Sequence, residues 1–165
     1  GQKELHASNN HGLWYDAIRL MMAQAAGLGG RVREIAEKSV KPRFTAQVAA
    51  DGSLPEELER TLSLHYSTFV LEALSTARNM ALPSGVDLWR MPEAQRVLEF
   101  LLPYYEKPDT WPYPQIKPFE RRRGAALLYE AGVALGRSEW IDAARRIGYG
   151  EGKADFAALL FFELQ

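Results

Sequence analysis

The stretch from Ser53 to Ala81 restricts the fold of this chain more than any other. Ser53-Leu54-Pro55-Glu56-Glu57 has the composition of a helix entrance: a serine able to cap, a proline in the first turn, and acids where the helix dipole favours them. Leu58, Leu62, Tyr66, Phe69, Ala73, Leu74 and Ala77 then trace one face of a long helix down to about Ala81. Pro83-Ser84-Gly85 closes it. A helix of that length is stabilised by burying its apolar face against other elements. Nothing in the sequence alternates with the period of two that a half-buried strand requires, so those elements are helices as well.

The same spacing recurs on both sides. Trp14, Ile18, Met21, Met22 and Ala25 read as the buried stripe of a helix from Leu13 to Ala26, broken by Gly27, Gly29 and Gly30. Val32, Ile35, Ala36 and Val40 carry a second pattern onward to Val48, with Pro42 marking a kink or boundary and Asp51-Gly52-Ser53 its end. A helix from about Pro92 to Tyr105 turns Val97, Leu98, Leu101, Leu102 and Tyr105 inward. Pro108, Pro112, Pro114 and Pro118 then forbid regular helix or central strand. Two last patterns, Glu120 to Leu135 and Glu139 to Ile147, precede a short apolar ending at Asp155 to Leu164. The expected fold is all-α, with antiparallel helical hairpins stacked into a partial α/α toroid, in a single domain over 1–165.

Composition removes several functions. Twenty Lys and Arg against 21 Asp and Glu leave no basic excess of the kind that tracks a phosphate backbone, so no nucleic-acid partner is expected. With 47% hydrophobic and 25% charged residues there is material for one core and too much for a disordered chain. The longest apolar stretches, Ala157 to Phe162 and the Leu20 to Ala26 region, fall far short of the roughly 20 residues that span a bilayer. The absence of cysteine excludes disulfides, thiolate catalysis and thiolate metal sites. His6, His11 and His65 have no helical metal spacing, and neither a phosphate-binding glycine loop nor Gly-x-Ser-x-Gly occurs, so neither metal nor cofactor is expected. Gly1-Gln2-Lys3-Glu4 has no basic region followed by an apolar one, so any export signal is expected to be absent or removed.

Ser8-Asn9-Asn10-His11-Gly12-Leu13-Trp14-Tyr15-Asp16 packs amides, an imidazole, aromatics and a carboxylate into one helix start. Structural roles account for part of this: Ser8, Asn9 or Asn10 can cap, Trp14 can pack, and Asp16 can complement the dipole. The run Asn9-Asn10-His11-Gly12-Leu13-Trp14-Tyr15-Asp16 also resembles the Asn-Asn-His-Gly-x-Trp-Tyr-Asp signature of the alginate lyase superfamily, helical toroid enzymes that cleave uronate polysaccharides by β-elimination. Asp51 to Pro55 with Glu57 to Thr61, His65-Tyr66-Ser67-Thr68-Phe69, Gly85 to Trp89, and Trp111 to Ile116 resemble later landmarks of that family in the same order. The resemblance covers residues 8 to 120 and implies that Asn10, His11, Arg60 and Tyr66 occupy the catalytic positions. Val70 departs from it, standing where many relatives carry an amide. The family's catalytic domain is also longer, so the chain is expected to be a truncated one lacking N-terminal helices. Periplasmic or extracellular localisation follows from the same resemblance.

The residue types suit the chemistry. Removing the proton beside a uronate carboxylate builds a second negative charge unless the carboxylate is neutralised first. Arg60 offers a fixed fork for a carboxylate and Asn10 an NH₂ donor, so no metal is needed. His11, with an unperturbed pKa of about 6.5, suits a general base; Tyr66, unperturbed at about 10, can give a proton to the departing oxygen or take the C5 proton if activated. On one straight helix Arg60 and Tyr66 stand about 120° apart and roughly 9 Å along the axis, which by itself would not pair them. Arg60 taken alone reads as a surface ion pair with Glu56, Glu57 or Glu59, and Tyr66 as a core residue.

Trp111, Tyr113 and Gln115, on the proline-stiffened loop, are candidates to bind sugar together with Trp14; the alternative is that the loop aromatics seal the helical stack. Arg121-Arg122-Arg123 would attract a polyanion over long range or simply be a solvated helix start. The expected partner is an anionic polysaccharide, alginate or a related uronan, with self-association through apolar edges left open by a partial toroid. Two other classes stand beside the lyase: a non-catalytic carbohydrate-binding or interaction module, and a glycoside hydrolase using Asp16 and Glu72.

Overall fold

Asn9 opens the first helix by accepting the His11 backbone N–H at 3.1 Å through its side-chain oxygen, so it is the cap of α1 (Asn10–Ala25). The computed structural model describes residues 9–150; Ser8, His6 and the apolar ending at 155–164 lie outside the described residues. Beyond α1 follow α2 (Gly29–Ile35), a turn of π-helix (Ala36–Val40) and α3 (Lys41–Gln47). The π turn stands immediately before Pro42. The Lys41 N–H reaches five residues back to the Ala36 carbonyl, so the expected kink takes the form of a widened turn ahead of the residue that lacks an N–H.

The long helix predicted from Ser53 to Ala81 is interrupted. A single turn, α4 (Pro55–Leu58), is followed by a break at 59–62, and the helix resumes as α5 (Ser63–Ala81). After it come α6 (Pro92–Glu106), the proline loop, α7 (Arg121–Leu135) and α8 (Ser138–Ile147). Consecutive α7 and α8 pack together, joined through Gly136 in the left-handed conformation, where the Arg137 N–H closes α7 onto the Gly132 carbonyl at 2.8 Å. Among the described residues the one β-type pairing is an isolated antiparallel bridge between Leu62 and Gln115. The all-α expectation holds. No described helix is long and apolar enough to cross a membrane.

The core runs between α1, α5, α6, α7 and α8, with Trp89 and Trp140 its largest fully enclosed side chains. On α1 the buried face is Leu13, Ala17, Leu20 and Ala23, not the predicted stripe: Ile18, Met21 and Met22 are 52%, 48% and 69% exposed. Both stripes have helical spacing. Asp16 decides between them, because its fully buried carboxylate meets Arg19 at 2.8 Å and Arg43 of α3 at 2.7 Å, and this anchors the Leu13–Leu20 side inward.

Tyr105 shows how closely α6 and α7 approach. Its ring stacks on Phe119 at 5.6 Å, its hydroxyl meets Thr68 Oγ1 at 3.1 Å, and burial pushes its phenol above the usual tyrosine range. A Cβ at Gly124 would stand 2.4 Å from that ring. Gly124→Ala is therefore expected to destabilise the fold by about 1–3 kcal/mol, measured by chemical denaturation.

Candidate active site

The break before α5 is built by the proline loop. The Ser63 N–H donates to the Pro114 carbonyl at 2.9 Å, the Ile116 N–H donates to the Thr61 carbonyl at 3.0 Å, and Gln115 Oε1 accepts the Leu64 N–H at 3.1 Å. These bonds take the chain at Thr61 and Leu62 out of helix and give the first turn of α5 partners it would otherwise lack. Arg60 sits in the break, so the straight-helix separation no longer applies. Its guanidinium carbon lies 4.0 Å from the centre of the Tyr66 ring, a cation–π contact.

Glu57 joins Arg60 to Asn10. Its Oε1 accepts both the Asn10 backbone N–H at 3.1 Å and the Asn10 Nδ2–H at 2.9 Å, while its Oε2 lies 3.9 Å from Arg60 Nη1. The carboxylate is buried, and Asn10 is enclosed completely, with its Oδ1 lacking a hydrogen-bond partner among the described residues. His11 follows Asn10 in the first turn of α1 and is exposed. Asn10, Arg60 and Tyr66 thus form one contiguous chain of contacts through Glu57, with His11 beside them at the surface.

Beyond Tyr66 the contacts continue. His65 lies edge-on to it, with ring centres 5.8 Å apart and planes at 78°. Arg123 of α7 reaches His65 Nδ1 at 2.6 Å and clamps both oxygens of Glu72, at 2.7 and 2.6 Å. Burial first, and then the Arg123 charge, hold the His65 imidazole below its usual value; Glu72 and Glu120 act the other way.

The proposed sugar-binding residues divide. The Trp111 ring is buried, its Nε1–H donates to Ser63 Oγ at 2.7 Å, and Ser63 Oγ–H donates on to the Pro114 carbonyl at 2.6 Å. Gln115 has both ends of its amide committed, to Leu64 and, as donor at 2.8 Å, to the Lys117 carbonyl. Tyr113 remains exposed, 5.1 Å from Trp111. Trp14 packs its ring against Phe69 at 4.9 Å and is half-buried. Val70, the departure from the family pattern, is in the core. Asp16 and Glu72, the carboxylates of the hydrolase alternative, are both held in arginine pairs. The arginine run is structural in part: Arg121 donates to the Tyr105 and Glu106 carbonyls at the end of α6, and Arg123 holds Glu72.

Comparison with known proteins matches the chain to a family. The alginate lyase family model matches residues 1–111. The chain belongs to the alginate lyase family. A crystal structure of an alginate lyase from Bacteroides ovatus superposes with a TM-score of 0.80 at 29% identity, covering 98% of this chain and 44% of that one. This alginate lyase family chain therefore spans less than half the length of that enzyme. No curated protein matches the sequence.

Two groups at this candidate site escaped sequence reasoning. Glu57 was visible only as one of three acids near Arg60, and nothing in its spacing separates it from Glu56 or Glu59. The His65–Arg123–Glu72 cluster joins residues more than fifty positions apart. The lowered His65 value has a measurable consequence. As pH falls, the unfolded chain takes up the proton first, so the contribution of neutral His65 to stability is complete above about pH 6.5 and is lost as pH drops through that value toward the folded one. The denaturation midpoint should fall over this window in the unmodified chain and fall less in His65→Gln.

Proposed function

We propose that this chain is part of the catalytic domain of a polysaccharide lyase that cuts an alginate-like uronate polymer by β-elimination. A base removes the C5 proton, the C5–H electrons form the C4=C5 double bond, the C4–O glycosidic bond breaks, and the departing oxygen takes a proton from an acid. Arg60 neutralises the uronate carboxylate, and the second Nδ2–H of Asn10 assists it once the groups enclosing Asn10 admit the sugar. His11 and Tyr66 share the base and acid roles, in an order set by the uronate epimer. No step is assigned to a metal ion or cofactor. Tyr113 and Trp14 stand against neighbouring sugars, while Trp111 and Gln115 serve binding by holding the loop that carries Tyr113. The polymer substrate places the protein in the periplasm or outside the cell.

The observation that carries this reading is the stacking of Arg60 on Tyr66 at 4.0 Å, with Glu57 tying Arg60 to Asn10. Family membership supports it independently. With alginate, the full-length protein should produce the ultraviolet absorbance of a conjugated unsaturated uronate, and His11→Ala or Tyr66→Phe should each slow it by about 100-fold or more. Unchanged rates in both variants would remove their assigned roles.

The enclosure of Asn10 favours a second reading, a carbohydrate-binding module without turnover. Saturable alginate binding that yields no unsaturated product would select it. Self-association belongs to either reading. Ile18, Met21, Met22 and Leu28 form an exposed apolar stripe along α1 and its end, suited to a second copy of the chain. Sedimentation velocity should detect a concentration-dependent dimer that Met22→Lys weakens.

A further inference from the structure

One buried acid reaches both groups that face the uronate carboxylate in the lyase reading, Asn10 and Arg60. Glu57 is 1% exposed, while its neighbours Glu56 and Glu59 are exposed. Its Oε1 accepts the Asn10 backbone N–H at 3.1 Å and the Asn10 Nδ2–H at 2.9 Å, from 47 positions along the chain. The first bond closes an open N–H at the start of α1, as Asn9 does for the His11 N–H. An acceptor serving only the helix end would stop there. The second bond takes hold of the side chain.

A carboxylate only accepts, so the end of the Asn10 carboxamide that meets Glu57 is its nitrogen. Turning the amide over would set Asn10 Oδ1 against Glu57 Oε1, two buried acceptors with no proton between them. Among the described residues Asn10 Oδ1 has no hydrogen-bond partner, so the nitrogen end alone carries the restraint. One Nδ2–H is spent on Glu57 and the other is left for a second acceptor. The remaining carboxylate oxygen acts differently. Glu57 Oε2 makes no hydrogen bond among the described residues and lies 3.9 Å from Arg60 Nη1, while the Glu57 carbonyl accepts the Arg60 backbone N–H at 3.2 Å. Arg60 is thus held at its backbone and attracted at its side chain without being clamped.

We propose that Glu57 is a positioning residue for the elimination: its Oε1 fixes the Asn10 carboxamide nitrogen end first, with one N–H kept for the uronate carboxylate, and its Oε2 retains Arg60 by charge alone. One acid thereby sets a rigid donor beside a movable cation. This role rests on the reading of Asn10 as a group that neutralises the uronate.

The test uses the full-length protein. Nuclear magnetic resonance of the Asn10 side chain should show one Nδ2 proton shifted downfield in the unmodified chain, less so in Glu57→Gln and not in Glu57→Ala. On a mannuronate polymer, Glu57→Ala should lower kcat about 10- to 100-fold with a smaller change in KM, because the charge to be neutralised grows in the transition state. Glu57→Gln keeps an acceptor for both Asn10 donors, so its kcat should stay within about 5-fold of the unmodified value. In an Asn10→Ala background Glu57→Ala should cost less than about 3-fold more in kcat, while its lowering of the denaturation midpoint persists through the lost backbone bond. If Glu57→Ala does not fold, Glu57→Met, of similar volume and without an oxygen acceptor, takes its place.

An unshifted Asn10 Nδ2 pair in the unmodified chain, or a full Glu57→Ala loss of kcat in the Asn10→Ala background, would overturn this role. Binding of a mannuronate trisaccharide that Glu57→Ala weakens and Glu57→Gln restores, without unsaturated product from the unmodified chain, would overturn the lyase reading and leave the hold on Asn10 standing. Product made at full kcat by Glu57→Ala would do the reverse, and neither binding nor product from the unmodified chain would overturn both.

Discussion

The site depends on a helix that is prevented from being continuous. Residues 59–62 have helical neighbours on both sides, yet the loop at 114–116 takes the Ser63 and Leu64 N–H groups and gives an N–H to Thr61, and these bonds replace the ones a straight helix would make. Four prolines stiffen that loop, and Trp111 fastens it through Ser63. Breaking the helix here brings Arg60 over the ring of Tyr66, where an unbroken helix would have turned it away. Trp111 and Gln115 therefore act as a clasp on the backbone, and Tyr113 is the loop residue left facing outward.

Two arginines near Tyr66 have opposite circumstances. Arg123 is committed: both Glu72 oxygens lie within 2.7 Å and its side chain is largely covered. Arg60 meets Glu57 at 3.9 Å through Oε2, beyond a hydrogen bond, while Asn10 places its two donors on the other oxygen, Oε1. Its partner is thus close enough to balance charge and too far to hold the fork. An incoming carboxylate can take the guanidinium without first displacing a bidentate acid, which is the availability that transition-state charge neutralisation requires. The buried Glu57 carboxylate is tolerated because two N–H donors and a nearby cation face it.

Much of the fold was legible in the sequence. Helical spacing located nearly every helix, the prolines marked the loop, and the order of motifs from Asn9 to Ile116 identified the family later matched over residues 1–111. The proposed site residues Asn10, His11, Arg60 and Tyr66 came from the same resemblance, since they sit in the local runs that carry it. Glu57 was not legible, because three acids within four residues look alike until one of them is buried. His65 was not, because its meaning comes from Arg123 on another helix.

Local periodicity determined that this chain is helical and where most helices start and stop, since those depend on side chains three and four residues apart. It left open which of two apolar stripes on α1 goes inward. The arrival of Arg43 beside Asp16 decided that, by joining Arg19 in matching the buried charge. Likewise the sequence specified an arginine and a tyrosine six positions apart, while the distance between them was decided by a loop fifty residues away. Backbone hydrogen bonds made across that gap are invisible to any pattern read along the chain.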